Sequence, residues 1–316
     1  MSDDRHGRAR VVARRPGSGL GAFALGALGS VAAAAILKGA PPGGAARWTR
    51  KNHAGRPVTL FEGPAYAVGA VAGALAGGAG GTAAVAGLGA AAFGALDDLA
   101  GDGSSKGLRG HLAAAASGEV TTGVIKIAGL GATGLVSAWM IDRSHGAGDR
   151  PVPHRGRSSV TATVVGGALI AGSANLANLL DLRPGRALKV VLMLAAPMVA
   201  GGSGAFLSAG SSSATSTSSA IAGAAAGAAT GALADDLAGR TMLGDTGANS
   251  AGALLGTAFV ARYGLRGRMV ALGVVTLLTL ASERVSFTKV IESTPGLREL
   301  DALGRPSWSG PGVPAK

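Results

Sequence analysis

The chain has 316 residues, of which 47% are hydrophobic, 15% are charged and 3% are aromatic, and 55 are glycine. Its mean hydropathy is +0.37, whereas a water-soluble protein of this length carries more charge and more large apolar side chains. Alanine and glycine each bury little apolar area, so they stabilise a water-soluble core weakly, while closely packed membrane helices favour small residues. The composition therefore predicts an all-α, polytopic integral membrane protein.

The distribution of the basic residues disfavours one class of partner. There are 29 basic and 17 acidic residues, a net charge of +12, and no cysteine. The lysines and arginines are scattered over loops and tails instead of forming one stripe, which disfavours nucleic acid as a partner. Basic loops beside anionic lipids account for them better, so we expect a membrane partner. The absence of cysteine excludes disulfides and thiolate metal sites.

Apolar runs close to the roughly 20 residues that cross a bilayer mark the candidate spans. In chain order they are 18–38, 64–78, 82–98, 118–141, 159–180, 187–208, 215–234, 248–262 and 268–282. The second and third are short and are divided only by the glycine-rich break at 77–81, so a single bent helix is an alternative. We predict about nine spans, with eight to ten as the range.

The chain divides into a basic N-terminal tail over 1–17, a membrane domain over 18–282 and a C-terminal segment over 283–316. The apolar run after the tail is too long for a signal peptide, so we expect a retained first helix. The Ser/Thr-rich tract at 208–219 is typical of a flexible loop, and 307–316 of a disordered tail. Apolar residues among charges at 282–292 indicate an amphipathic element on the membrane surface, with a plain tail and a lid as alternatives.

Acidic residues stand at the ends of apolar runs. Asp97 and Asp98 close the uncharged run 63–96, and a near copy, Asp235 and Asp236, closes another. Asp245 follows in the sequence Gly-Asp-Thr-Gly. Carboxylates in this position usually indicate a cation and an anionic substrate.

Nine spans place these acids on one side of the membrane. The helices that end at Asp97, Asp181 and Asp235 finish on the same face as the loop that holds Asp245. Basic residues at 38–56 and 284–305 indicate that this face is cytoplasmic, although the basic N-terminus then lies outside, against the positive-inside rule. We expect a multi-pass protein of the plasma membrane with its site on the cytoplasmic face.

The order of the motifs resembles a known family. Asp97-Asp98 is followed by Lys106-Gly107-Leu108, by Asn175-x-x-Asn178-Leu-x-Asp181, and by Gly244-Asp245-x-Gly247 leading into Leu255-Gly256. This set is similar to that of the polyprenyl-phosphate N-acetylhexosamine-1-phosphate transferases, which include the phospho-N-acetylmuramoyl-pentapeptide translocase. The resemblance covers roughly 51–256. Each motif is weak by itself, and the ordered set on one membrane face is specific.

The resemblance implies a Mg2+-dependent reaction in cell-envelope glycan synthesis, such as that of peptidoglycan. A sugar-1-phosphate passes from a nucleotide-sugar donor, a UDP-sugar, to a polyprenyl phosphate lipid, and UMP is released. Mg2+ held by one or two carboxylates can bridge the phosphate oxygens and neutralise the developing charge. By the same resemblance the metal ligands are Asp245 and Asp98, the catalytic residues are Asp97, Asp98 and Asp181, and the substrate-binding residues are Lys106, Asn175 and Asn178.

Lys126 is a further candidate for substrate binding, because a charge inside an apolar segment is costly and is often functional. It either faces the site or extends its ammonium group to the membrane interface. The acids also have ordinary alternatives: Asp97 and Asp98 as a helix cap, and Asp181 and Asp245 as turn residues.

The chain departs from the family in four places. Pro184 stands where the family has a second acid, Met242 where it has an aromatic residue, and Asp235 where it has an asparagine; a His-rich loop is missing from 282–304. These departures keep a second hypothesis open, an inactive family-derived protein that binds polyprenyl phosphate or scaffolds envelope partners. The oligomeric state also stays open, with a homodimer as one option. A transporter is disfavoured, because the acids lie at helix ends and not at the membrane midplane.

Overall fold

The structure is a computed structural model that describes residues 18–52, 55–100, 110, 116–118, 121–146, 156–200 and 212–306. Nearly all of the secondary structure in this part of the chain is helical, as the composition predicts. The α-helices in chain order are α1 Ser18–Gly39, α2 Glu62–Ala76, α3 Gly81–Ala100, α4 Thr122–Gly146, α5 Gly156–Leu180, α6 Arg186–Val199, α7 Ser212–Leu237, α8 Gly244–Arg262, α9 Leu265–Ser282, α10 Phe287–Ser293 and α11 Leu297–Ala302.

Five helical segments are long and apolar enough to cross a membrane: Gly19–Gly39, Gly81–Ala100, Thr122–Ser144, Val160–Leu180 and Leu265–Ser282. They indicate an all-α membrane protein, in agreement with the sequence. Each of the nine predicted spans coincides with one of the helices α1 to α9, and the number that cross the bilayer stays a prediction.

The alternative of one bent helix over 64–98 is wrong, because α2 and α3 are separate. Gly78 and Gly80 between them have φ angles of +84° and +70°. Residues with a side chain rarely adopt this left-handed backbone. The two glycines therefore reverse the chain between the helices.

The centre of the bundle consists of α7 and α8, both rich in alanine and glycine and buried along most of their length. Two neighbours, α1 and α5, approach them closely because glycines stand at these crossings. A Cβ atom at Gly227 would overlap the carbonyl oxygen of Phe23 in α1, and one at Gly252 that of Ser173 in α5. Small residues that let backbones approach are the usual basis of helix packing in membranes.

The flexible loop predicted at 208–219 is wrong for the part that the structure describes, because α7 begins at Ser212. The serines are accommodated by packing: Ser218 and Ser219 are buried, and the Ser219 hydroxyl donates to the carbonyl oxygen of Met198 at 2.7 Å. Tertiary contacts here override the preference of serine for turns.

A short hairpin and the C-terminal helices cover the end of the bundle where α3 and α5 finish. Strand β1 (Thr49–Lys51) pairs antiparallel with β2 (Pro57–Thr59). The backbone N–H of Thr59 donates a hydrogen bond to the carbonyl oxygen of Arg240, and the carbonyl oxygen of Thr59 accepts one from the N–H of Met242. The hairpin is thus joined to the segment that leads into α8.

The C-terminal segment is a docked element. Asp301 of α11 forms a two-pronged ion pair with Arg186, with Oδ1 to Nε at 2.8 Å and Oδ2 to Nη2 at 3.0 Å. Lys189 donates to the carbonyl oxygens of Leu300 and Asp301 in α11. Arg305 donates to the carbonyl oxygen of Pro184 at 2.7 Å. Leu297 and Leu303 of this segment are exposed. The assignment of 282–292 to a membrane-surface element, a plain tail or a lid stays a prediction.

Replacement of Gly227 by alanine should destabilise the bundle, because the new methyl group meets backbone that cannot move independently of α1. We expect a loss of about 1–3 kcal/mol, measured by thermal unfolding of the purified protein in detergent. Gly131→Ala and Gly273→Ala are matched controls, since a Cβ atom at either position meets nothing within 4 Å. Equal effects at all three positions would contradict this packing.

The Arg186–Asp301 pair should make the thermal stability of the protein depend on pH. Burial opposes the charged form, but hydrogen bonds from Arg186 and Arg305 prevail and lower the pKa of Asp301 from 3.8 to about 2. Because the pKa is lower in the folded state, the ionised carboxylate stabilises the fold at pH values above about 4, by about 1 kcal/mol after allowance for solvent screening, and this contribution disappears as the pH falls from about 4 to about 2. Asp301→Asn should therefore lower Tm at pH 6, and the difference from wild type should narrow toward pH 2.

Candidate functional site

Asp98 forms an N-terminal cap for another helix. Its Oδ1 accepts the backbone N–H of Asp245 at 3.0 Å. Its Oδ2 accepts the N–H of Thr246 at 2.9 Å and the hydroxyl of Thr246 at 2.6 Å. The first amides of a helix have no partner within it, and a carboxylate there also meets the positive end of the helix dipole. Asp98 thus fixes the start of α8, and Asp245 with it.

Asp97 and Asp245 share one ammonium group. The Nζ atom of Lys126 lies 3.3 Å from Oδ2 of Asp97 and forms a second ion pair with Oδ2 of Asp245. Lys126 is 9% exposed, so its side chain faces the acids and does not extend to the membrane interface. A buried charge needs such partners. The ends of α3, α4 and α8 therefore meet around a single cation.

Asp181 lies at the same end of the bundle, directly after α5. Its backbone N–H donates to the carbonyl oxygen of Asn178 at 3.1 Å. This hydrogen bond is that of a turn, the alternative that the sequence left open for Asp181. Its Oδ2 atom is buried and has no hydrogen-bond partner among the described residues. Burial raises the pKa of Asp181 well above its usual range, and the charge of Asp236 raises it further.

The second acid pair divides between two roles. Asp236 is 2% exposed and accepts the N–H of Gly185 at 2.9 Å, which ties the end of α7 to the start of α6. Asp235 is partly exposed, and it pairs with Lys38 at 2.6 Å and with Arg240. One residue of the pair thus holds a helix start, as Asp98 does, and the other forms a surface ion pair.

Glu62 adds another buried acid. It is 4% exposed, its Oε2 accepts the hydroxyl of Thr241, and its Oε1 is buried without a partner among the described residues. It lines a small cleft that opens to solvent, together with Ser30 and Lys38. Glu62 and Asp181 thus each have a buried carboxylate oxygen without a partner among the described residues at this end of the bundle.

Of the remaining predicted substrate-binding residues, two asparagines lie in the described part of the chain and one lysine does not. Asn175 and Asn178 are partly buried in the last two turns of α5. Asn175, Asn178 and Asp181 are each three residues apart in the sequence. Lys106 lies outside the described residues. Within the described ranges, no three Asp, Glu, His or Cys side chains are grouped closely enough to hold a metal ion. Any metal bound here would use two carboxylates and other oxygen donors.

Asp236, Glu62 and Asn249 are among the buried polar residues that sequence reasoning left without a role. Asp236 had a usable signal, since it repeats the acid pair of α3. Glu62 begins α2 and has the pattern of an ordinary first-turn acid, so only its burial marks it. Asn249 interrupts a run of small residues in α8, a signal that its polarity alone provides.

A scan against known protein families and a search of characterised proteins found no match to this chain.

Loss of the Asp98 cap should cost more stability than loss of a surface acid of the same type. Asp98→Ala removes three hydrogen bonds to a carboxylate, and we expect a loss of about 2–4 kcal/mol. Asp235→Ala is the control, because its partners are exposed and such pairs contribute about 1 kcal/mol or less. Thermal unfolding in detergent measures both; an Asp98 effect no larger than that of Asp235 would contradict the capping role.

Proposed function

We propose that the chain is a Mg2+-dependent transferase of the polyprenyl-phosphate N-acetylhexosamine-1-phosphate transferase family, which moves a sugar-1-phosphate from a UDP-sugar to polyprenyl phosphate in cell-envelope glycan synthesis. The observation that carries the proposal is the convergence of Asp97 and Asp245 on the ammonium group of Lys126. Carboxylates from two helices that already hold a cation, at the end of an apolar bundle, suit chemistry between a membrane lipid and a phosphate-bearing substrate.

The same proposal gives the chain its orientation. It would cross the plasma membrane nine times, with the acid-lined end in the cytoplasm, where a water-soluble nucleotide sugar can reach it. Exposed Lys38 and Lys51 near this end agree with that orientation, because basic residues favour the cytoplasmic side. The apolar tail of the lipid would lie in a groove between the small-residue helices.

The donor set fits Mg2+ in its chemistry, because it offers hard oxygen ligands. Asp245 would hold the ion. Asp98 already accepts three hydrogen bonds, so we assign it first to positioning Asp245, and its contact with the metal stays a prediction. The bound ion would neutralise charge on the phosphate groups. Lys126 would then leave Asp245 and pair with a phosphate oxygen.

Each remaining residue has a role in this reaction. Asp97 would orient the lipid phosphate and accept its proton, while Asp181 would lie beside the nucleotide and the metal. An oxygen of the lipid phosphate forms a bond to the phosphorus that carries the sugar, the bond from that phosphorus to UMP breaks, and UMP leaves. Lys106, Asn175 and Asn178 would contact the phosphates or position Asp181.

One observation favours the second hypothesis, an inactive protein that binds polyprenyl phosphate or scaffolds envelope partners. The loop in which the family has a further acid carries Pro184, and its carbonyl oxygen is occupied by Arg305 of the docked C-terminal segment. The loop is thus held by the chain itself. Donor recognition is where such a protein would differ from an active transferase.

Purified protein with Mg2+, polyprenyl phosphate and a panel of UDP-sugars should release UMP. Asp245→Asn should abolish the release, because it removes the metal-binding charge. Asp235→Asn should retain it, because that carboxylate is paired with the exposed cations Lys38 and Arg240. UMP is measured by chromatography. Failure to release UMP from any donor, in protein that still binds polyprenyl phosphate, would refute the transferase and favour the second hypothesis.

A further inference from the structure

Asn249 lies one helical turn after Asp245 in α8, four residues on, and therefore on the same side of the helix. The residue is 0% exposed, and neither the oxygen nor the nitrogen of its carboxamide has a hydrogen-bond partner among the described residues. Leaving a buried polar group unpaired destabilises a fold, and here two such atoms occur in one side chain. A polar residue kept at such a position calls for a partner.

The direction in which Asn249 faces follows from its neighbours in α8. Gly252 and Gly256, three and seven residues further on, both face α5: a Cβ atom at Gly252 would overlap Ser173, and one at Gly256 would lie 3.0 Å from the Cα atom of Ile170. As α8 advances the contact moves backward along α5, so the two helices are antiparallel. Asn249, which precedes both glycines, therefore faces the last turns of α5.

Those last turns lead directly to Asp181, whose Oδ2 atom is also buried and unpaired. Asp181 and Asn249 thus each bring an oxygen without a partner to the interface of α5 and α8, and Asp245 stands at the entrance to that interface. Three oxygen-bearing side chains with this composition suit a hard divalent cation. A phosphate group is disfavoured, because two of the three are carboxylates.

We propose that Asn249 is a contact residue for a divalent cation, and that its Oδ1 extends the cation site of Asp245 and Asp181 one helical turn into the bundle. This inference rests on the proposed function for the identity of the ion. The inference goes beyond the proposed function because it assigns a role to Asn249. It also predicts that Asn249 makes the metal-free protein less stable than an apolar residue at this position would. An asparagine with a purely structural role would instead make the protein more stable.

Binding of Mn2+ to the purified full-length protein in detergent, followed by electron paramagnetic resonance, tests this role together with Tm measured without metal. Asn249→Leu has a similar size and no polar atoms; we expect Tm to rise by about 2–4 °C and Mn2+ to bind about tenfold more weakly. Asn249→Asp keeps an oxygen and should bind Mn2+ at least as tightly as wild type.

Ser250→Ala is the matched control. Its hydroxyl is equally buried and unpaired among the described residues, but it points about 100° away around the helix. It should raise Tm without changing Mn2+ binding. Asn249→Leu that binds Mn2+ as tightly as wild type, or wild type without saturable Mn2+ binding, overturns the inference. Asn249-dependent Mn2+ binding without UMP release overturns the transferase proposal and leaves the inference standing.

Discussion

The carboxylate of Asp98 at the start of α8 is the interaction on which the rest of the site depends. It joins residues 147 positions apart in the chain, and it serves the helix that lies at the centre of the bundle. The residue before α8, Leu243, offers no side-chain cap, so the cap must come from elsewhere. Because Asp98 fixes the first turn of α8, it also fixes the direction of Asp245 and, one turn later, of Asn249.

Small residues make this interaction geometrically feasible. Gly94 lies one helical turn before Asp98 in α3, and a Cβ atom at Gly94 would overlap the carbonyl group of Asp245. The absence of a side chain there lets the last turn of α3 come close enough for a short aspartate to reach the amides of α8. The alanine- and glycine-rich composition is therefore a condition for the polar site as well as for packing. Lys126 then balances part of the charge that this approach concentrates.

Composition and hydropathy predicted the helices and the end of the bundle where the acids meet, because both depend on local patterns and on the parity of the spans. Residues 212–214, which precede the predicted span 215–234, were assigned to a loop and are helical, since serine in a helix is decided by packing partners that a local pattern does not contain. The partner of Asp301 is 115 residues away, and the two roles of Asp235 and Asp236 depend on which side of α7 is covered. Such contacts are properties of the assembled bundle.

Under the proposed function Asp245 binds a divalent ion, and the ammonium group of Lys126, which pairs with both Asp97 and Asp245, leaves Asp245 when the ion arrives. A structure of the protein determined with Mn2+, using anomalous scattering to locate the ion, is the decisive measurement. We expect an anomalous peak about 2 Å from a carboxylate oxygen of Asp245, with the ammonium group of Lys126 displaced from that residue. Lys126 still bound to both aspartates, with no peak beside Asp245 at saturating Mn2+, would contradict it.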